Sequence, residues 1–199
     1  MNKLESLENL IDSFAKLPGV GKKTAERLAY AVLNMRNEDV QEFSKALLDV
    51  KDKIHPCPHC GMLTEKELCD ICSSLDERDK TKLIVTTTSR DALAIEASFA
   101  EYPYHVLNGN ISLLKNIKPE NINIASLLDR IEKENIKEVI LATNPTIEGE
   151  TTARYIASLL ENKDIIVSRL AVGMPMGGEL DYQDSLTIKK ALNGRINIK

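Results

Sequence analysis

The chain contains no tryptophan, and aromatic residues make up only 4% of it. A surface that binds single-stranded nucleic acid by stacking successive bases on rings is therefore poorly supplied. General basic charge is missing too. Lys and Arg number 26 against 30 Asp and Glu, for a formal net charge of −4, so contact with a polyanion has to be local. No uninterrupted apolar run approaches the length that crosses a bilayer, and no membrane association is expected. The N-terminal M-N-K-L-E-S-L-E-N-L carries acids where a secretory signal is basic and then apolar, which points to a cytoplasmic protein. The three histidines, His55, His59 and His105, form no catalytic grouping, and no Ser/His/Asp or Cys/His arrangement is present. What remains, 43% hydrophobic and 28% charged, is the composition of an ordinary globular protein.

Cysteine is scarce and concentrated. All four fall in C-P-H-C-G-M-L-T-E-K-E-L-C-D-I-C, as two C-x-x-C pairs, Cys57 with Cys60 and Cys69 with Cys72. Each pair can grip one side of a tetrahedral ion while the eight-residue spacer loops back, the arithmetic of a structural four-cysteine zinc site. Four thiolates fill the shell and leave no position for a catalytic water, so one structural Zn2+ per chain is expected to hold structure. The alternative is two disulfides, which a reducing cytosol disfavours. Gly61 supplies freedom for a tight turn, and His59, inside the first pair, is expected to be a polar surface residue.

Leu4, Leu7, Leu10, Ile11 and Phe14 recur at three- and four-residue steps and predict a first helix ending near Lys16. L-P-G-V-G-K-K-T-A follows, with Pro18 setting an extended entry and Gly19 and Gly21 permitting a sharp turn. A second helix has Ala25, Leu28, Ala29, Val32 and Leu33 inward, and Val40, Phe43, Leu47 and Val50 mark a third. Helix, G-V-G hairpin, helix is the layout of helix-hairpin-helix modules that bind DNA backbones. Glycines let N–H groups approach a phosphate, the next helix offers its positive end, and basic side chains add charge. Between Lys16 and Arg36 stand Lys16, Lys22, Lys23, Arg27 and Arg36 against Glu26 alone. The candidate DNA-binding residues are Lys16, Gly19, Gly21, Lys22, Lys23 and Arg27. The plainer alternative is a structural turn with solvated lysines. A P-loop is disfavoured because the segment follows a helix and Lys16 stands where its first glycine would be.

After Cys72 the run D-E-R-D-K reads as a solvated connection, and a new domain starts near Lys80. Its pattern predicts strands over 82–87, 105–107, 138–142 and 165–169, alternating with helices over 91–100, 125–134 and 150–160. That alternation implies a parallel sheet covered on both faces, with ligand sites beyond the strands' carboxyl ends, at T-T-S-R and T-N-P-T-I-E-G-E. Glu148 and Glu150 are either metal-binding carboxylates or acids in a first helical turn, where the dipole favours them; the second is the expectation. The tail holds the glycine-rich A-V-G-M-P-M-G-G-E-L-D-Y-Q-D with Glu179, Asp181 and Asp184. It ends in an acid-free stretch from Ser185 carrying Lys189, Lys190, Arg195 and Lys199.

Taken together, the L-P-G-V-G-K-K-T-A hairpin, the cysteine knuckle with G-M-L-T-E, Y-H-V-L-N-G from Tyr104, I-L-A-T-N-P-T-I-E-G-E from Ile140 and G-M-P-M-G-G-E-L-D-Y from Gly173 resemble the RecR family of bacterial recombination mediators over nearly the whole chain. The resemblance implies a multi-module α/β protein. It comprises a helix-hairpin-helix module over 1–54, a four-cysteine zinc finger over 55–78, a Toprim-like parallel-sheet domain over 79–170 and a Walker B-like loop with a helix over 171–199. It further implies a ring-forming homo-oligomer that binds single-stranded, double-stranded or gapped DNA and works with RecO and RecF to load RecA at single-stranded gaps. The sequence departs from the family wording at Thr87 and Thr88, where an acidic pair is usual, at Val172 and at Asn108 to Asn110. The competing reading is a Toprim enzyme, a metal-dependent nuclease, topoisomerase or primase-like protein. Such chemistry needs a glutamate at the first strand end and a D-x-D pair later, where this chain has Thr87, Asn144 and Thr146. A non-enzymatic mediator with no catalytic residues is expected.

Overall fold

The computed structural model describes residues 4–197, so Lys199 of the basic tail lies outside the described residues. The chain divides after Ile54 into two compact units.

The first unit holds α1 (Glu5–Ala15), α2 (Lys22–Leu33) and α3 (Asn37–Lys53). α1 and α2 pack together, and Ala25 and Ala29 of α2 are wholly buried because side chains of one carbon let helix backbones approach closely. On α1 the half-buried residues are Leu7, Leu10, Ile11 and Phe14, the predicted stripe without Leu4, which is exposed just before the helix. Of the α2 positions expected inside, Leu28 and Leu33 stay exposed; Phe43, Leu47 and Val50, which mark α3, are exposed as well, and no described residue of α3 is buried. The periodicity is real, but three short helices offer too little facing surface to enclose every apolar stripe they carry.

The second unit begins with a two-stranded antiparallel ribbon, β1 (His55–Pro56) and β2 (Leu63–Thr64), followed by the short α4 (Asp70–Ser73) and a 3-10 turn over Leu75–Glu77. Then come β3 (Lys82–Thr86), α5 (Ser89–Glu96), β4 (Tyr104–Val106), α6 (Ile124–Lys133), β5 (Glu138–Leu141), α7 (Ile147–Leu160), β6 (Ile166–Arg169) and α8 (Ser185–Asn193). Four strands form one sheet in the order β4-β3-β5-β6, every pair parallel. The strands lie close to their predicted positions, whereas α5 and α7 start earlier than predicted. Thr88 caps α5 through a reciprocal capping box with Asp91, and Thr146 caps α7 by accepting the Gly149 N–H.

Strand alternation sends successive side chains to opposite faces of the sheet. Leu83, Val85, Val139 and Leu141 join a core with Leu127 and Ile131 of α6 and Ala153, Ile156 and Leu160 of α7. Ile84, Tyr104 and Val106 belong to a second core, shared with Ala92 of α5 and with Cys57, Cys60, Met62, Cys69 and Cys72. The sheet is covered on both faces as expected, but on one of them the cysteine knuckle does most of what a second helix would do.

The D-E-R-D-K run is not a solvated connection throughout. The Arg78 side chain is buried: its guanidinium is paired with the Glu96 carboxylate, and Nη1 donates to the Tyr102 carbonyl at 3.1 Å. The pairing holds the Glu96 carboxyl below its ordinary range and raises Arg78. Composition marks the segment as polar, but one long side chain reaches a carboxylate on α5 and anchors it.

On β4, between Tyr104 and Val106, His105 is buried with its Nε2 donating to the Asn123 carbonyl at 2.8 Å. Burial, with Arg130 nearby, pushes its pKa down to about 4 from 6.5. Between those two values the folded chain binds fewer protons at this histidine than the unfolded chain does. Its contribution to stability is therefore complete above about pH 6.5 and is lost as pH falls toward 4. Between pH 7 and pH 5 the wild type is expected to lose about 2 kcal/mol more stability than a His105→Gln variant, in urea melts with excess zinc. Parallel losses in the two proteins would contradict the assignment.

Candidate metal centre and nucleic-acid interface

The four Sγ atoms of Cys57, Cys60, Cys69 and Cys72 lie within 4.8 Å of one another, all buried, and among the described residues they form the one group of metal-ligating side chains of three or more. None is in a disulfide. The local backbone builds the site. The Cys57 N–H donates to the Met62 carbonyl at 2.6 Å and the Gly61 N–H to the Cys57 carbonyl at 2.8 Å, closing the first knuckle. Cys69 caps α4, its sulfur accepting the Cys72 N–H at 3.4 Å, while the Cys60 sulfur accepts the Met62 N–H, also at 3.4 Å.

Without a cation these sulfurs cannot all be thiolates. The 3.5 Å contact between Cys60 and Cys69 pulls the Cys69 thiol down and pushes Cys60 up, while Cys60 and Cys69 together drive Cys72 upward. Four converging sulfurs, no disulfide and N–H donors aimed at two of them fit a tetrahedral Zn2+, which stabilises all four as thiolates. Bound there, the ion would cross-link the knuckle's two halves.

The knuckle is sewn to the sheet. The Val106 N–H donates to the Cys60 carbonyl at 2.7 Å, the Asn108 side chain to the Gly61 carbonyl at 2.9 Å, and the Leu63 N–H to Ser89 Oγ at 2.9 Å. Asn108, at φ +57, departs from the family wording yet makes this bond. His59 is not the free surface residue expected. It is part-buried, with Nδ1 3.2 Å from Cys72 Sγ and Nε2 2.7 Å from Glu134 Oε1. Nothing local in the sequence indicates that the residue ending α6 would meet it.

In the first unit, Leu17 to Val20 form a tight turn closed by the Val20 N–H on the Leu17 carbonyl at 3.1 Å, with Gly19 at φ +81. Only glycine takes that angle without strain. Gly21 is different: its φ is an ordinary −76°, and a Cβ there would meet nothing within 4 Å. As N-cap of α2 it provides no side-chain cap, and α2's first turn carries no acid, so the helix end is open. Lys16, Lys23 and Arg27 are exposed around it. Lys22 is exposed but also lines a cleft of about 320 Å³ with Glu8, Asp12 and Glu26. Arg36 is spent on Asp39, donating from Nε at 2.9 Å and Nη2 at 2.7 Å.

Beyond the strand ends lies an open crevice of about 340 Å³ lined by Thr87, Asn110, Ser112, Lys115, Thr146 and Glu148. Thr87 Oγ1 donates to Asn110 at 3.0 Å and Asn144 Nδ2 to Asp91 at 3.2 Å. Of the two glutamates singled out, Glu148 faces the crevice and Glu150 accepts from Arg169 at 2.9 Å. The loop leading to α7 is tightly built: a Cβ on Gly149 would stand 2.0 Å from the Asn144 carbonyl oxygen. In the tail, Asp184 caps α8 by accepting the Leu186 and Thr187 N–H groups at 3.0 Å each.

Comparison with known proteins agrees with this anatomy. Residues 7–51 match the family model described as RecR, helix-hairpin-helix; residues 54–74 match that of the RecR four-cysteine zinc finger domain. Residues 81–171 match the Toprim domain, and 173–196 match RecR, C-terminal. The chain is 48% identical over 195 residues to the recombination protein RecR of Lactobacillus acidophilus, covering 96% of this chain and 97% of that protein. It is likewise 48% identical over 197 residues to the recombination protein RecR of Staphylococcus saprophyticus, covering 98% of each. The knuckle is a four-cysteine zinc finger with a single structural zinc.

The seam between knuckle and sheet leaves no room at Gly61. At φ +78, a Cβ there would stand 2.4 Å from the Val106 carbonyl oxygen and 2.8 Å from Asn123 Nδ2. Gly61→Ala is expected to cost more than about 2 kcal/mol in urea unfolding of the zinc-loaded protein, from the left-handed backbone and the clash together. A variant as stable as the wild type would mean the knuckle does not sit against β4.

Proposed function

Because the chain belongs to the RecR family of recombination proteins, we propose that it is a DNA-binding mediator of recombination and repair in the cytoplasm, acting with RecO and RecF to help load RecA at single-stranded gaps. The observation that carries this reading is the open N-terminus of α2. Gly21 leaves that end bare although neither its φ nor its surroundings require glycine. A bare helix end flanked by exposed basic residues suits a phosphate, which accepts from the first-turn N–H groups and is favoured by the helix dipole.

Within this reading, Gly19 shapes the turn, Gly21 admits the backbone phosphate, and Lys16, Lys22, Lys23 and Arg27 supply charge. Lys23 and Arg27 contribute most, since Lys22 shares its cleft with three carboxylates. Cys57, Cys60, Cys69 and Cys72 hold the zinc, which has no part in chemistry. One hairpin with few cations gives weak, salt-sensitive binding, and several copies on one homo-oligomeric ring would raise the effective concentration of each. Support for assembly comes from the exposed apolar side chains Leu33, Leu47, Leu48 and Val50 of the first unit, apolar area that a second copy would cover.

The Toprim-like domain is read as enzymatically silent. Metal-dependent phosphodiester chemistry requires anionic oxygen ligands converging at the strand ends. Here the crevice carries Thr87, Asn110, Thr146 and the single carboxylate of Glu148, while Glu150 is engaged by Arg169.

Replacing Lys23 and Arg27 by Ala is expected to weaken binding to all DNA sequences alike and to flatten its salt dependence by about one unit of slope for each phosphate left unpaired. Gly21→Asp separates structure from function. The carboxylate should cap α2 and stabilise the fold by a few tenths of a kcal/mol, yet weaken DNA binding by occupying and repelling the phosphate position. Unchanged slopes with tight binding by Gly21→Asp would move the DNA site away from the hairpin. Wild-type protein with Mg2+ or Mn2+ should leave supercoiled and single-stranded DNA intact, and cleavage abolished by Glu148→Ala would instead support the enzyme.

A further inference from the structure

The Cys60 and Cys69 sulfurs receive backbone N–H groups, whereas Cys72 is met by a side chain, the imidazole of His59, with Nδ1 3.2 Å from Sγ. The other ring nitrogen is partnered too. Nε2 lies 2.7 Å from Glu134 Oε1, an oxygen that also accepts the Arg130 Nε–H at 2.8 Å, across 75 residues of sequence from His59. Arg130 is itself held: its side chain is 4% exposed, and Nη1 donates to the Tyr104 carbonyl of β4 at 2.6 Å. A continuous polar chain therefore runs from the sulfur cluster through His59, Glu134 and Arg130 to the sheet edge.

We infer that His59 and Glu134 form an outer shell of the zinc centre, with both ring nitrogens of His59 carrying protons, Nδ1 donating to the Cys72 thiolate and Nε2 to the Glu134 carboxylate, which fixes the ring's orientation, so that metal retention is tied to helix α6. The chemistry follows from the donor set. Zn2+ with four thiolates carries a formal charge of −2, and each N–H directed at a sulfur disperses part of it. Backbone donors at Cys60 and Cys69 come with the knuckle's own turns. The donor at Cys72 comes from a residue that has to be aimed, and a carboxylate on the opposite nitrogen is the arrangement that aims a histidine beside a metal. Both residues act through Cys72 and so are positioning residues. The other histidine of the module, His55, is exposed and points Nδ1 toward its neighbour's carbonyl, that of Pro56, at 3.2 Å, without touching the cluster.

This outer shell presupposes the four-thiolate zinc site, and one experiment separates the two. Purified full-length protein is assayed for zinc content, then for the rate of zinc release to a chromophoric chelator at one fixed pH, and again as the Co2+-substituted form for its thiolate-to-metal absorption band. His59→Ala is expected to release zinc roughly 10-fold to 100-fold faster and to shift the band. His59→Gln, whose amide N–H can still reach a sulfur, should recover part of the loss, and His55→Ala should match the wild type. Because Glu134 acts through His59, the His59→Ala, Glu134→Ala double variant should release zinc no faster than His59→Ala alone. Zinc-loaded wild type with His59→Ala releasing at the same rate, or fully multiplicative effects in the double variant, would overturn the outer shell and leave the zinc finger standing. A wild type without zinc would sink both.

Discussion

The 2.7 Å hydrogen bond from the Val106 N–H to the Cys60 carbonyl joins the metal-binding knuckle to the edge of the parallel sheet. Its importance follows from a general requirement. A parallel sheet has to be covered on both faces, because its strands carry apolar side chains on each. Here α6 and α7 cover one face, while the other has the eight-residue α5 and, within the knuckle, the single-turn α4. Cys57, Cys60, Met62, Cys69 and Cys72 fill the remainder of that layer and pack with Ile84, Tyr104 and Val106. A knuckle of this size has little core of its own, and zinc is what makes it rigid enough to serve as one. The metal centre is thus a structural member of the sheet domain rather than an independent finger.

Two electrostatic regions differ in character. The hairpin of the first unit exposes Lys16, Lys23 and Arg27 in a protein that is net acidic, and the N-terminus of α2 carries no side-chain cap. The crevice at the sheet's carboxyl ends is instead lined by hydroxyls, amides, one lysine and one glutamate. Its surroundings are stabilised internally: Thr88 and Thr146 cap helices, Asn144 binds Asp91, and Gly149 lets the chain pass close against Asn144. The polar residues of these strand-end loops are thus accounted for by local structure.

Much of this was legible in the residues because it depends on short-range rules. Two C-x-x-C pairs at the right separation imply a tetrahedral site, period-two and period-3.6 patterns placed the strands and helices, and Gly19 announced a turn that requires positive φ. What escaped was long-range. No local pattern shows that Cys60 meets β4, that His59 meets Glu134, or that Arg78, within a run of charges, is buried against Glu96. The inward positions expected for Leu28 and Leu33 failed for the opposite reason. Periodicity reports that a face is apolar, not whether the same chain covers it.

Zinc knuckle and sheet should behave as one cooperative structure, and the amide of Val106 reports on this directly. Native-state hydrogen exchange, read with zinc bound and after chelation, should show this amide strongly protected in the first case and exchanging orders of magnitude faster in the second. Amides of α2, such as that of Ala29, should keep the same protection in both. If the Val106 amide kept its full protection without metal, the knuckle would be an appendage to the sheet and the metal would not hold the two together.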